Sequence, residues 1–253
     1  MPTNQEMVLK AANMIKNSDT ILVVSGAGIS TASGIPDFRG KNGLYESCQE
    51  KYDLPYPEAL FDIKYFSQIS QKPFYQLTKE FFSSQYMPTL FHKFIARLEE
   101  QKSKVIIVTQ NIDGLHQKAG SKNVVAAHGD YSSASCLSCK RPYDSNLFIQ
   151  NCKDEISSLC ECGGIIKPHI VFYGENLPSS FMELFASPPK VDLFISCGTS
   201  LTVHPVADFA SLMTRVSPSI RLNNAPTVLD NQFTLAIDCD LEEIATIFTK
   251  YIF

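Results

Sequence analysis

Ile21-Leu22-Val23-Val24-Ser25-Gly26-Ala27-Gly28-Ile29-Ser30 decides the fold. Four consecutive β-prone apolar residues read as a strand buried on both faces. Two glycines follow at once, at Gly26 and Gly28, with a third at Gly34. That is where an open α/β sheet binds its ligand: the crevice at the carboxyl ends of its strands. Glycines there allow a tight turn and close approach of backbone to phosphate. A following helix is expected to offer N–H groups and a positive dipole end to a pyrophosphate. The same glycines also fit a turn used only for packing. Thr31 stands where the dehydrogenase fingerprint has its third glycine, which counts against ordinary hydride transfer.

Further apolar runs repeat the strand pattern at 105–108, 170–172 and 191–195. Helical spacing recurs over residues 4–17, at Phe91, Phe94, Ile95 and Leu98, at Val206, Phe209, Ala210 and Met213, and at Leu241, Ile244, Phe248 and Ile252. Strands alternating with helices predict an α/β fold: a Rossmann-like parallel sheet with helices on both faces. Two stretches break the alternation. Residues 42–87 are rich in Tyr, Phe, Pro and charge, and residues 130–166 hold five of the eight cysteines. Both are expected to be insertions forming a smaller lobe, one helical and one metal-binding. The sheet domain then comprises 1–41, 88–129 and 167–253.

The 253 residues are enough to bury a large core. Hydrophobic residues make up 44% and charged residues 19%, ordinary for a globular chain. The net charge of -4 disfavours a general nucleic-acid binder. No apolar run approaches the roughly 20 residues of a membrane span, and the polar first twenty residues lack the pattern of a secretory signal. An intracellular setting, cytoplasmic or nuclear, is expected. Reduced cysteines there suggest metal before disulfide.

Cys136-Leu-Ser-Cys139 is followed by Cys160-Glu-Cys162-Gly163-Gly164. Four thiolates in two close pairs fit a tetrahedral structural zinc site, with no position left open for chemistry. Cys152 is an alternative to Cys160 as the third ligand. Lys140, Arg141 and Lys153 are outweighed locally by Asp130, Asp144, Asp154, Glu155 and Glu161, so phosphate contact is disfavoured. Elsewhere the strand at 105–108 runs into Thr109-Gln110-Asn111-Ile112-Asp113-Gly114-Leu115-His116. By itself that string suits a helix cap as well as a binding site. His128 titrates in the range that serves proton transfer at neutral pH, although a single histidine also fits a core.

Residues 26–40, Gly-Ala-Gly-Ile-Ser-Thr-Ala-Ser-Gly-Ile-Pro-Asp-Phe-Arg-Gly, resemble the cofactor loop of the sirtuin family over their whole length. Gln110-Asn111-Ile112-Asp113, the pair His128-Gly129 and Lys167-Pro168-His169-Ile170-Val171-Phe172-Tyr173-Gly174-Glu175 are similar to further signatures of that family, which together span about residues 8–245. The resemblance implies an NAD-dependent protein lysine deacylase with one structural zinc. Gly26, Ala27, Gly28, Ile29, Pro36, Asp37, Phe38 and Arg39 would form the NAD loop. Gln110, Asn111, Ile112 and Asp113 would meet the nicotinamide ribose and amide. Gly198, Thr199, Ser200, Val203, Asn223 and Cys239 would serve the far half of NAD, with an ordinary buried cysteine as the other reading of Cys239. His128 would be the general base and Asn111 would orient ribose and water, while His116 is assigned packing or support.

An acyl-lysine segment of a protein substrate would lie as an added strand against Val171, Phe172, Gly174 and Glu175. Its carbonyl oxygen would displace nicotinamide, and the acyl group would pass to ADP-ribose. His169 departs from the acidic residue common at its place, and Glu161 alone separates a cysteine pair that the family spaces by two. An acidic-acyl enzyme of the family is expected to present a Tyr and an Arg from 43–65 or nearby. Tyr52, Tyr56 and Tyr65 are available, but no arginine occurs between Arg39 and Arg97, which favours acetyl or longer apolar groups. ADP-ribosyl transfer to protein at the same site, and a non-catalytic NAD-binding module, are the alternatives.

Overall fold

A computed structural model describes residues 4–38, 40, 43–155 and 158–253. The chain begins with helix α1 (Asn4–Lys16) and strand β1 (Thr20–Ser25). Helices α2 (Leu44–Tyr52), α3 (Ile63–Gln68), α4 (Lys72–Ser83) and α5 (Leu90–Gln101) precede β2 (Lys104–Thr109). Then come α6 (Leu115–Lys118), β3 (Val124–Ala126), β4 (Gly129–Cys136), β5 (Pro142–Asp144), α7 (Ser145–Glu155) and β6 (Ile166–Ile170). The chain closes with α8 (Ser179–Ala186), β7 (Leu193–Cys197), α9 (Val206–Val216), β8 (Ser219–Asn223), β9 (Leu235–Asp238) and α10 (Leu241–Ile252).

Six strands form a parallel sheet in the order β3-β2-β1-β7-β8-β9. Strand β1 sits centrally, and its alternation divides the core. Ile21 and Val23 pack with α1, α5 and α10 through Ile15, Leu98 and Phe248. Leu22 and Val24 pack on the other face with α8 and α9 through Phe181, Phe209 and Met213. Chain order reverses at β1, where β2 lies on one side and β7 on the other. A crevice opens at the carboxyl ends of such strands.

A second sheet, β5-β4-β6, is antiparallel. It shares a core with α2, α4 and α7, built largely from aromatic rings: Phe61, Phe66, Phe74, Tyr75, Tyr131, Phe148 and Phe172. The Phe74 and Phe172 centroids lie 4.9 Å apart. Edge-to-face pairs of this kind pack well without any strand pattern in the sequence. Residues 170–172 do not form a strand of the parallel sheet, as the apolar run had suggested. The strand is Ile166–Ile170 and pairs with β4; beyond it Glu175 N returns to Phe172 O, turning the chain. Among the described residues no helix is long and apolar enough to cross a membrane.

Candidate functional site

The glycine loop leaves β1 as two 3-10 turns, Ala27–Ile29 and Thr31–Ser33. Among the described residues no α-helix directly follows these turns to present its N-terminus to a pyrophosphate, contrary to the expectation from sequence. The reason is a backbone crossing. Gly26 N donates to Cys197 O at 3.1 Å and Gly28 N to Gly198 O at 2.8 Å, so two loop amides are already used. A Cβ on Gly198, whose φ is 59°, would come within 2.5 Å of Ile29 N. The glycines at 26, 28 and 198 therefore let two strand-end loops touch, and that contact floors the crevice.

The 109–113 string is woven into the same place. Gln110 N donates to Ser25 O, and Gln110 Nε2 reaches Thr199 Oγ1 at 2.9 Å. Asn111 Nδ2 donates to Gly26 O and to Ser30 Oγ, each at 3.1 Å. Asp113 accepts from Ser30 Oγ at 2.6 Å and from Leu115 N at 2.9 Å. Burial pushes its carboxyl above the usual range, opposed by those hydrogen bonds.

His128 follows β3 and precedes β4, at the junction of the two sheets. Gly129 has φ 67°, and a Cβ there would overlap the His169 carbonyl, so the backbone must be glycine beside this imidazole. His128 Nδ1 lies 3.0 Å from Gln110 O. A carbonyl only accepts, so Nδ1 carries the proton and Nε2 keeps a lone pair. Nε2 has no hydrogen bond among the described residues. Burial pushes the imidazole below its ordinary pKa, with the Gln110 bond opposing. His128 is therefore neutral at pH 7 and equipped to accept a proton.

A cavity of about 560 Å³ joins these parts. Gly26, Ala27, Gly28, Ile29, Asp37, Phe38, Gln110, Asn111, Ile112 and His128 line it. So do Val171, Phe172, Gly174, Glu175, Gly198, Thr199, Ser200, Val203, Asn223 and Cys239. Pro36 and Asp113 are not on its wall; Asp113 acts behind it through Ser30 and Asn111. Arg39 lies outside the described residues. His116 is also absent from the wall, and its Nε2 lies 2.8 Å from Ser25 Oγ.

Tyr45, Phe61, Tyr173, Leu177, His204, Asp240 and Glu242 line the cavity as well and had not been singled out. The aromatic richness of 42–87 was the available signal for Tyr45 and Phe61. Of the tyrosines considered there, Tyr52 bonds Glu80 and Tyr56 bonds Asp62, and neither these nor Tyr65 reaches the wall. Tyr45 does instead, its hydroxyl 3.0 Å from that of Tyr173. Among the described lining residues, leaving the two imidazoles aside, the only ionisable Asp, Glu, Lys or Arg side chains are carboxylates.

At the β8–β9 end a buried guanidinium fixes the wall. Arg221 is 3% exposed and reaches Asp238 at 2.6 Å, Asp230 at 2.7 Å and Ile237 O at 3.0 Å. Asp230 in turn accepts from Thr227 N and Oγ1, which draws in the loop carrying Ala225 and Pro226. In the second lobe, Cys136, Cys139, Cys160 and Cys162 hold their sulfurs within 4.8 Å of one another. Two of the separations are 3.5 and 3.6 Å. Four sulfurs about 2.3 Å from one zinc ion lie about 3.8 Å apart, so the set fits one tetrahedral metal. Cys152, buried on α7, is not among these four sulfurs.

The Sir2 family model matches residues 26–205. The chain belongs to the Sir2 family. NAD-dependent deacetylase sir2A of Dictyostelium discoideum is 46% identical over 220 residues, 84% of this chain and 42% of that protein. NAD-dependent protein deacetylase sirtuin-1 of Homo sapiens is 38% identical over 240 residues, 91% of this chain and 32% of that protein. This Sir2 chain thus spans less than half the length of those curated relatives. A solved Sir2 enzyme superposes with a TM-score of 0.88 at 32% identity, covering 98% of each chain. A Sir2 structure with p53 peptide and NAD+ gives 0.82 at 34% identity, covering 95% of this chain and 96% of that one. The glycine crossing, the Gln110–Asn111 weave and His128 lie within the residues that the family matches.

Proposed function

We propose that this chain is an NAD-dependent protein lysine deacetylase, moving the acyl group of an acyl-lysine segment to ADP-ribose with release of nicotinamide. One observation carries the reading. A neutral imidazole, its Nδ1–H committed to Gln110 O, lines a cavity whose floor is a glycine crossing and whose other wall is aromatic. Support comes from relatives named as NAD-dependent deacetylases and from solved Sir2 structures that hold NAD+ or an acetyl-ADP-ribose product with peptide.

In this reading the residues divide the work. Gly26–Ile29, Asp37, Phe38, Arg39, Gly198–Ser200, Val203, Asn223 and Cys239 hold NAD, with Asp113 keeping Asn111 and Ser30 in place. Asn111 and Gln110 orient the nicotinamide ribose and water. Val171, Phe172, Gly174 and Glu175 receive the peptide, and Phe38, Phe61 and Phe172 surround the lysine stem. An apolar wall admits a neutral acyl-lysine and penalises a charged amine. Once the acyl oxygen has displaced nicotinamide, His128 Nε2 takes a ribose hydroxyl proton. That hydroxyl then attacks the acyl carbon, the carbon–nitrogen bond breaks to release the lysine amine, and water adds to the acyl carbon to give acetyl-ADP-ribose. NAD supplies the electrophile and the leaving group; the protein supplies position and one base. The carboxylate-only charge of the described wall disfavours acidic acyl groups.

The four-cysteine cluster fits one structural zinc, which would staple β4 to the 158–164 segment. We assign 1–41, 88–129 and 167–253 to an NAD-binding domain, with 42–87 and 130–166 as insertions. A cytoplasmic or nuclear setting accords with eight unpaired thiols. The test is incubation with NAD and a panel of acyl-lysine peptides, with products weighed. Free lysine peptide and acetyl-ADP-ribose are expected. ADP-ribose retained on protein would make the chain a transferase, and no nicotinamide release would make it a binding module.

A further inference from the structure

Strand β6 carries a charge in its interior. Lys167 is 5% exposed, yet its ammonium has three protons and three oxygens to receive them. These are Pro168 O at 3.2 Å, Ile170 O, and Glu175 Oε2 at 2.8 Å. The ammonium also stands 4.2 Å from the centre of the Phe172 ring. Burial pulls its pKa down, and Glu175 pulls it back up. A buried ion pair seldom adds stability over an apolar pair of equal shape, because desolvation offsets attraction. Its effect here is geometric.

All three acceptors belong to residues 168–175. Glu175 Oε2 also accepts Phe172 N at 2.8 Å, and Glu175 N donates back to Phe172 O at 3.0 Å. The ammonium thus closes this segment into one turn, whose residues 170–175 all line the cavity. Val171 N donates to His128 O at 2.8 Å, so the same turn is bonded to the backbone of the base. Lys167 itself is not on the cavity wall.

We propose that Lys167 is a positioning residue for the acyl-lysine side of the site: with Glu175 it holds residues 170–175 in the form that receives the substrate strand. This rests on the deacetylase reading.

Steady-state kinetics with an acetyl-lysine peptide and NAD test it, on Lys167→Met, Lys167→Arg and Glu175→Gln. Removing the ammonium leaves Glu175 with Phe172 N alone and takes a donor from two carbonyls, so Lys167→Met is expected to raise the peptide KM roughly tenfold or more. The NAD KM stays at the wild-type value, and Lys167→Arg recovers much of the loss. A wild-type peptide KM in Lys167→Met overturns the proposal, as does a parallel rise of both KM values, which would mean general loosening. Should Lys167→Met fail to fold by circular dichroism, Glu175→Gln decides: it raises the peptide KM alone or the proposal is wrong. A wild-type protein inert toward every acyl-lysine peptide sinks the deacetylase reading and this proposal with it. An active wild type with unaltered variants sinks this proposal alone.

Discussion

Two imidazoles meet behind the glycine loop, and they set how the protein responds to acid. The ring centroids of His92 and His116 are 4.8 Å apart, and the residues are 0% and 1% exposed. His92 Nδ1 lies 2.8 Å from Thr89 Oγ1, which in turn donates to Ile29 O; His116 Nε2 lies 2.8 Å from Ser25 Oγ. Among the described residues His92 Nε2 and His116 Nδ1 have no hydrogen-bond partner. Burial, helped by His116, pushes His92 down to about 3, and burial pushes His116 down to about 4.

The unfolded chain takes up a proton at each imidazole near pH 6.5, and the folded chain refuses it until far lower. Stability is therefore full above pH 6.5 and falls as the pH falls. At about 1.4 kcal/mol per unit, each imidazole removes about 2 kcal/mol between pH 7 and pH 5, so the pair removes about 4 kcal/mol. That is a large part of the roughly 5–15 kcal/mol that holds a typical domain folded. His128, also lowered, acts in the same direction. Urea unfolding followed by circular dichroism at pH 7, 6 and 5, with zinc in excess, measures the slope. His116→Asn removes one titrating ring while keeping an amide for Ser25, and its slope should be clearly shallower. Equal slopes in the two proteins, or a wild-type stability that is flat from pH 7 to 5, would refute the reasoning.

His128→Ala is expected to keep its circular dichroism spectrum and lose about 10²–10⁴-fold in kcat. In the wild type the acid limb of kcat/KM should fall below pH 6.5, because burial lowers this imidazole; a limb above that value contradicts the assignment. Cys160→Ser should lose bound zinc by elemental analysis, and Cys152→Ser should keep it. Arg221→Leu strands Asp230 and Asp238, so the KM for NAD should rise about tenfold while the peptide KM holds; isothermal titration with NAD checks the same loss.

Parts of this architecture are legible in the sequence for a physical reason. A strand buried on both faces must be continuously apolar, so β1 and β2 declare themselves as Ile21–Val24 and Val105–Val108. Helices α5, α9 and α10 show one apolar stripe each because only one side meets the sheet. Strand β6 is hidden because Lys167 and Pro168 interrupt its apolar run. Nothing local reveals that Glu175, eight residues on, satisfies the lysine. The second lobe is hidden for another reason. Its core is made of rings meeting edge to face, and such packing imposes no period on the chain. Tyr45 and Phe61 reach the cavity from that core, and Tyr52, Tyr56 and Tyr65 do not. Cys160 and Cys152 are both plausible by spacing. The structure separates them: Cys160 joins the four grouped sulfurs, and Cys152, on α7, does not.

The glycine loop marks the limit of reading chemistry from pattern. A Gly-x-Gly after a strand fits a bound phosphate and fits close packing equally. Here Gly26 and Gly28 have spent their amides on Cys197 O and Gly198 O, so packing alone requires them. Yet the crossing is also what brings Thr199 to Gln110 Nε2, and Gln110 is the residue whose carbonyl fixes the tautomer of His128. One residue, through its side-chain amide, its backbone N–H and its carbonyl, therefore joins the ends of β1, β2 and β7 to the base. The base is neutral because it is buried, and its lone pair sits on Nε2 because Nδ1 is occupied. Neither property follows from a histidine in a sequence. Both follow from where the carbonyl of residue 110 is held, and the two crossing loops hold it there.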